Sequence, residues 1–258
     1  MNSKIAEAFA KKAFIAFITG GDPDIETTEK LIPTLEAAGV DVIEIGIPFS
    51  DPIAEGLVIQ KASERALAAG CTVDKLFAMV SCLRQKVKIP IVFMTYANPI
   101  FAYGATRFMA NCAASGIDGI IVPDLPFEEK HELAQECKTH GIAQISMIAP
   151  TSHQRIKTIA REAEGFLYCV SSLGVTGMRA QINTNLAEMI AEVRSVSKVP
   201  CAIGFGISSP AQAREMAAVA DGAIIGSAIV KIIAEHGRDC VPYVKKFAED
   251  VAGEIATL

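Results

Sequence analysis

The stretch Ala38-Gly39-Val40-Asp41-Val42-Ile43-Glu44-Ile45-Gly46 carries the pattern that decides the fold: a glycine stop, a short run rich in β-branched residues, and a glycine at its end. Glycine closing a helical segment supplies a C-cap, and the run after it has the length and composition of a buried strand. The pattern recurs along all 258 residues. Eight such runs stand at Phe14–Thr19, Val40–Gly46, Ile91–Thr95, Gly119–Val122, Ala143–Ile148, Phe166–Val170, Pro200–Gly204 and Ala223–Gly226. Similar lead-ins stand at Ile89-Pro90, Ser115-Gly116, His140-Gly141 and Val199-Pro200. Longer segments of helical periodicity separate the runs, which is the signature of repeated βα units and a parallel sheet. Most runs begin about 23 to 34 residues apart, a strand plus a crossover helix. The second interval is nearly double and holds two helical segments, about Val58–Ala69 and Thr72–Val87, parted by Gly70.

Eight parallel strands leave two architectures, a closed (β/α)8 barrel or a large open doubly wound sheet. Apart from Asp41 and Glu44 in the second run, no run carries a charge, and none has a proline in its middle as an exposed edge would, which favours closure. The expected fold is therefore a single (β/α)8 (TIM) barrel over residues 1–258, with an extra N-terminal helix and an extra helix in the crossover from the second strand to the third. No linker or composition shift marks a second domain.

Composition narrows the function. The chain has 24 basic and 29 acidic residues, a net charge of −5, and no run of like charge, so it lacks the electrostatic footprint of a nucleic-acid or anionic-lipid binder. Seven cysteines form no C-x-x-C pair and sit mostly in apolar stretches, which reads as buried thiols in a reducing cytoplasm. Lys11-Lys12 precede only a short apolar run that leads into Gly20-Gly21-Asp22-Pro23, a strand and turn rather than a signal peptide. No apolar run is long enough to span a bilayer, and a soluble protein is expected.

The usual glycine-rich nucleotide loops, the G-x-S-x-G elbow and H-E-x-x-H are absent. The four histidines are scattered, away from strand ends, and argue against a zinc site; no lysine follows a strand closely, so a Schiff-base nucleophile is missing. Carboxylates remain. In a barrel, reactive groups sit at the C-terminal ends of strands. In the second run Val42, Glu44 and Gly46 share one face, and Glu44 comes near that end. A carboxylate inside a barrel must be paired or neutralised, so its pKa should rise. Glu44 is either a salt-bridged structural acid or a catalytic one, and the lack of a Lys or Arg at a neighbouring strand end favours catalysis. Glu55, in the loop that follows, is either a second acid over the same pocket, which would allow acid and base roles to be divided, or an ordinary loop acid.

The seventh and eighth runs lead into Gly204-Phe205-Gly206-Ile207 and Gly226-Ser227, where glycine permits close backbone approach and a helix N-terminus favours an anion. Barrels commonly hold phosphate there. Ser171–Arg179, with Gly174 and Gly177, suits either a lid or a surface loop. Phe17 and Tyr96 line the pocket or belong to the core.

At these residues the sequence resembles, over essentially its whole length, the tryptophan synthase α chain family. The resemblance rests on Phe17-Ile18-Thr19-Gly20-Gly21-Asp22-Pro23, Glu44-Ile45-Gly46-Ile47-Pro48-Phe49-Ser50-Asp51-Pro52, Tyr96-Ala97-Asn98-Pro99, Gly174-Val175-Thr176-Gly177 and Gly204-Phe205-Gly206-Ile207. It implies cleavage of indole-3-glycerol phosphate to indole and glyceraldehyde 3-phosphate, with no cofactor in this chain. It implies a partner β chain carrying pyridoxal phosphate, in an α2β2 heterotetramer, faced by the loops Ile47–Leu57 and Leu173–Asn185. The family's acid/base glutamate falls on Glu44. Its second catalytic position, usually aspartate before Gly-Pro, falls on Glu55 in Ala54-Glu55-Gly56-Leu57; the expectation is that Leu57, free of proline's fixed φ, gives the loop room for the longer acid. Tyr168 is implied as a supporting catalytic group. Phe17, Tyr96 and Thr176 are implied in the substrate pocket, and Gly177, Phe205, Gly206, Gly226 and Ser227 in the phosphate cradle. Another phosphate-binding barrel enzyme using the same two acids, or a non-catalytic activating subunit, are the alternative readings.

Overall fold

β-branched runs with inward and outward apolar faces can bury both only between helices and a closed interior. In the computed structural model, eight parallel strands close into a barrel in chain order. They are β1 (Ala13–Thr19), β2 (Val42–Gly46), β3 (Ile91–Met94), β4 (Gly119–Ile121), β5 (Ala143–Ile148), β6 (Leu167–Val170), β7 (Cys201–Gly204) and β8 (Gly222–Ile225), with β8 pairing back onto β1. The structure describes residues 3–150, 153–170, 179–204 and 206–258, with backbone alone for Ser3 and residues 179–185. The expected barrel is present, and each strand lies within two residues of the run read from the sequence.

The helices are α1 (Ser3–Ala8), α2 (Ile25–Ala37), α3 (Leu57–Ala68), α4 (Val73–Leu83), α5 (Ala97–Tyr103), α6 (Ala105–Ser115), α7 (His131–His140), α8 (His153–Arg161), α9 (Arg179–Arg194), α10 (Pro210–Val219), α11 (Ser227–His236) and α12 (Val241–Ile255). The extra N-terminal helix and the doubled β2–β3 crossover are as expected. The β3–β4 crossover is divided too, at Gly104, whose φ of +91° ends α5. Gly116 and Gly141 close α6 and α7 in the left-handed conformation, the C-cap chemistry read from their lead-ins.

Strand alternation sorts the core into layers. Ile15, Val42, Val92, Ile121, Ile145, Tyr168, Ala202 and Ile224 fill the interior, and Ile5 of α1 joins them. Phe9, just after α1, packs its ring 5.4 Å from that of Phe166. Phe14, Ile18, Ile43, Ile45, Phe93 and Ile120 point outward against helices.

At the N-terminal ends of the strands, three aspartates make the same reciprocal tie. Asp41 donates its N–H to the carbonyl of Phe14 at 2.8 Å while its carboxylate accepts the Phe14 N–H at 2.9 Å. Asp118 does this with Ile91 and Asp221 with Cys201. Each strand pair β1/β2, β3/β4 and β7/β8 is thus fastened below its ladder. Each aspartate also meets a cation: Lys11 for Asp41, Arg84 and Lys4 for Asp118, Arg194 for Asp221. Carboxylates with this many partners stabilise the fold and leave no oxygen for chemistry.

Candidate active site

At the opposite end of the barrel a cavity of about 280 Å³ opens. It is lined by Phe17 and Glu44 from β1 and β2, by Glu55 and Ile59 at the start of α3, by Met94, Met147 and Tyr168 from β3, β5 and β6, and by Gly206, Gly226 and Ser227. Phe17 and Glu44 stand opposite each other in the β1/β2 register. Gly46 and Gly226 make room for Phe17: a Cβ on Gly46 would lie 2.6 Å from its Cζ, and one on Gly226 3.1 Å from its Cδ1. Gly226 therefore has a packing reason to be glycine besides the close approach expected from the sequence.

Glu44 is one of two acids among the described residues that line this cavity. It is fully buried, and neither carboxylate oxygen has a hydrogen-bond partner among the described residues. Burial alone pushes its pKa from the usual carboxylate range up to about 8. The acid is therefore protonated at neutral pH and able to give a proton to whatever enters the cavity. Tyr168 crosses the interior beside it, and a Cβ on Gly204 would meet the Tyr168 hydroxyl at 2.5 Å. Burial, then the Glu44 charge, raise the phenol pKa well above its ordinary value, so Tyr168 stays neutral.

Glu55 hangs over the same cavity from the loop before α3. Its Oε2 is buried without a partner among the described residues. Burial raises its pKa, and the Tyr96 hydroxyl works against that rise. Tyr96 does not line the cavity. Its hydroxyl accepts the Ala54 N–H at 3.0 Å, and its ring lies 5.5 Å from that of Phe49, so it braces the loop from behind. Side chains beyond a strand end follow the loop, and strand alternation gives no signal for where they point.

Leu57 is the first residue of α3, after Gly56 at the N-cap, and it is exposed. Proline fits the first helical position without loss, so leucine there gives the loop no extra room, contrary to the sequence expectation. Gly206 has φ of +75° and a Cβ there would meet nothing within 4 Å, so backbone conformation rather than crowding requires it. Gly226 and Ser227 open α11 toward the cavity, and the Gly226 N-cap has no side-chain capping bond. No lysine or arginine is among the described lining residues. An anion here would meet backbone N–H groups at a helix N-terminus. Thr176, Gly177 and Phe205, together with residues 171–178 of the segment read as a lid or surface loop, lie outside the described residues.

Met94, Met147 and Ile224 were not picked out in the sequence, although the two-residue alternation on β3, β5 and β8 points each of them inward. A second cavity of about 310 Å³ lies beside β4 and β5, near α8. Its two cations are taken, Lys130 by Glu162 and Arg155 by Glu128. Among the described residues no three His, Cys, Asp or Glu side chains group to hold a metal ion.

Residues 4–257 match the family model described as tryptophan synthase alpha chain. The tryptophan synthase alpha chain of Shouchella clausii is 52% identical over 235 residues, covering 90% of this chain and 87% of that one. That of Lacticaseibacillus casei is 44% identical over 250 residues, covering 96% and 94%. Among solved structures, tryptophan synthase subunit alpha from Legionella pneumophila superposes with a TM-score of 0.90 at 35% identity, covering 100% of this chain and 98% of that one. A chain of the tryptophan synthase a2b2 complex from Pyrococcus furiosus gives 0.83 at 35%, covering 93% and 97%. With a buried acid that has no hydrogen-bond partner among the described residues lining the cavity of a closed barrel, and a family model and relatives that match over nine-tenths of the sequence or more, the chain belongs to the tryptophan synthase alpha chain family, the lyase subunit that cleaves indole-3-glycerol phosphate.

Proposed function

We propose that Glu44 does both the acid and the base work of this retro-aldol cleavage and that Glu55 assists it at the indole nitrogen. The observation that carries the reading is the Glu44 carboxyl, fully buried, unpartnered and holding its proton to about pH 8 at the head of the cavity. The bond from indole C3 to the glycerol side chain breaks readily only after C3 is protonated, since the ring cation then takes up the electron pair of the breaking bond. Glu44 gives that proton. As a carboxylate it then accepts the proton of the adjacent side-chain hydroxyl, whose oxygen becomes the carbonyl of glyceraldehyde 3-phosphate. Indole leaves neutral and Glu44 ends protonated as it began, so one group serves both steps.

Glu55 accepts the indole N1–H and stabilises the positive charge that develops on the ring. Tyr96 supports this role, because its hydroxyl opposes the burial-driven rise of the Glu55 pKa while nothing opposes that of Glu44. Tyr168 supports Glu44 at the cavity wall. Phe17, Met94 and Met147 provide apolar surface for the indole. The substrate phosphate takes the backbone amides of Gly206, Gly226 and Ser227, together with Gly177 and Phe205, and Thr176 serves the substrate pocket. The reaction as written uses side chains and backbone of this chain and calls for no cofactor in it. The chain acts as one domain and passes indole to a pyridoxal-phosphate β chain in an α2β2 heterotetramer, with Ile47–Leu57 and Leu173–Asn185 facing that partner. Exposed Ile53 and Leu57, flanking Glu55, support an apolar contact there. Seven free cysteines, six of them buried, support a cytoplasmic setting.

The test is single-turnover cleavage of indole-3-glycerol phosphate by the wild type and by Glu44→Gln, alongside glycerol phosphate affinity. Loss of cleavage with affinity retained is expected. Cleavage at the wild-type rate would overturn the assignment.

A further inference from the structure

The motif Gly20-Gly21-Asp22-Pro23 takes no part in the reaction described above, yet it holds a fully buried acid at the end of β1. Both Asp22 oxygens are occupied by one guanidinium. Arg65 donates from Nε to Oδ1 and from Nη2 to Oδ2, each at 2.8 Å. Two parallel bonds of this kind fix orientation as well as distance. The glycines allow the approach. A Cβ on Gly21 would lie 2.7 Å from Cys71 Sγ, and its φ is +81°. Cys71 Sγ itself rests 3.5 Å from the carbonyl oxygen of Gly20.

Arg65 stands near the C-terminal end of α3, and the N-terminal end of the same helix carries the site. Glu55 lies two residues before α3 begins, and Gln60 donates from Nε2 to the Glu55 carbonyl at 2.8 Å. Ile59 lines the cavity, and Ala62, fully buried, packs on Phe17 with Val230. A twelve-residue helix thus connects the ion pair to the loop acid. The Gly56 N-cap makes no side-chain capping bond, so the helix start gets no such help in holding its place. We propose that Asp22 and Arg65 are positioning residues for the known reaction: by pinning α3 to the end of β1 they hold Glu55 at the height where it meets the indole nitrogen. This rests on the role given to Glu55 above.

The experiment is a double-mutant cycle on the full chain, comparing wild type, Asp22→Asn/Arg65→Gln, Glu55→Ala and the combination of all three changes. The readouts are kcat and KM for indole-3-glycerol phosphate and calorimetric affinity for glycerol phosphate. Loss of the ion pair is expected to lower kcat by about tenfold or more, since small misplacement of a catalytic group is costly. Glycerol phosphate affinity is expected to stay unchanged, because the phosphate amides belong to the ends of β7 and β8. In the Glu55→Ala background the same pair of changes is expected to cost no further activity, and Arg65→Lys, which keeps a cation, to retain more kcat than Arg65→Gln. Asp22→Asn alone, with Arg65 partly in solvent, gives the same comparison if the double variant folds poorly. An equal loss in both backgrounds, or glycerol phosphate affinity falling in step with kcat, would show that the pair serves only the fold. Wild-type activity in Glu55→Ala would instead remove the role of Glu55, and this proposal with it.

Discussion

The two ends of this barrel use the same functional group in opposite ways. Below the strands, Asp41, Asp118 and Asp221 each accept a backbone N–H and meet a cation. Above them, Glu44 is at least as deeply buried and has neither. A buried carboxylate with partners is a fastener; Glu44, buried without them, keeps its proton. The barrel tolerates the unsatisfied acid because the fastened end and the apolar layers carry the stability.

Substitution at each end sharpens the contrast. Glu44→Gln is expected to lower turnover by about 10²–10⁴-fold, the worth of general acid–base help, without loss of stability. At the other end, Asp118→Asn is expected to reverse the pattern. It leaves Arg84, itself largely buried, without its counter-charge, which costs about 3–5 kcal/mol in chemical denaturation. Turnover per folded molecule should not change, and a drop in kcat there would break the division between the two ends. Between these extremes lies Glu55. Glu55→Asp withdraws the carboxylate by one methylene and is expected to cost up to about 10²-fold in kcat/KM for indole-3-glycerol phosphate. Leu57→Pro, at the first turn of α3, is expected to shift stability by less than about 0.5 kcal/mol and to leave kcat/KM near that of the wild type.

Most of the architecture was legible because a barrel strand must be apolar on both faces and each unit needs a turn residue at its ends. The boundaries moved where side chains intervened. The run beginning at Val40 pairs only from Val42, because Asp41 is drawn into its tie with Phe14. The helical pattern from Thr72 to Val87 stops at Leu83, where the Arg84 guanidinium turns to the carbonyls of Gly116 and Ile89. Gly226, read as the end of the eighth strand, is instead the N-cap of α11. Glu44 was visible in the sequence as an inward charge without a counter-ion, a signal that needs only strand alternation. The place of Tyr96 behind the Glu55 loop and the Asp22–Arg65 pair were not, since both depend on how loops fold back over strand ends, and no periodicity encodes that.

Stability should depend on pH through Glu44. The unfolded chain ionises Glu44 in the ordinary carboxylate range, while the folded chain keeps it protonated to about 8. Stability from this group is therefore complete below about pH 4.5 and falls as pH rises toward 8, by several kcal/mol in total. Glu44→Gln removes that dependence, so its advantage over wild type in unfolding experiments should widen across the same window.

The most direct measurement is the titration of Glu44 itself, by carbon NMR of the protein labelled at glutamate side-chain carboxyls, with Glu44→Gln to assign the signal. A carboxyl resonance that titrates with a midpoint at about 8 and is missing from the variant is the expected result. A Glu44 resonance already ionised at pH 6 would contradict the claim that an unpartnered, buried acid supplies the proton for cleavage.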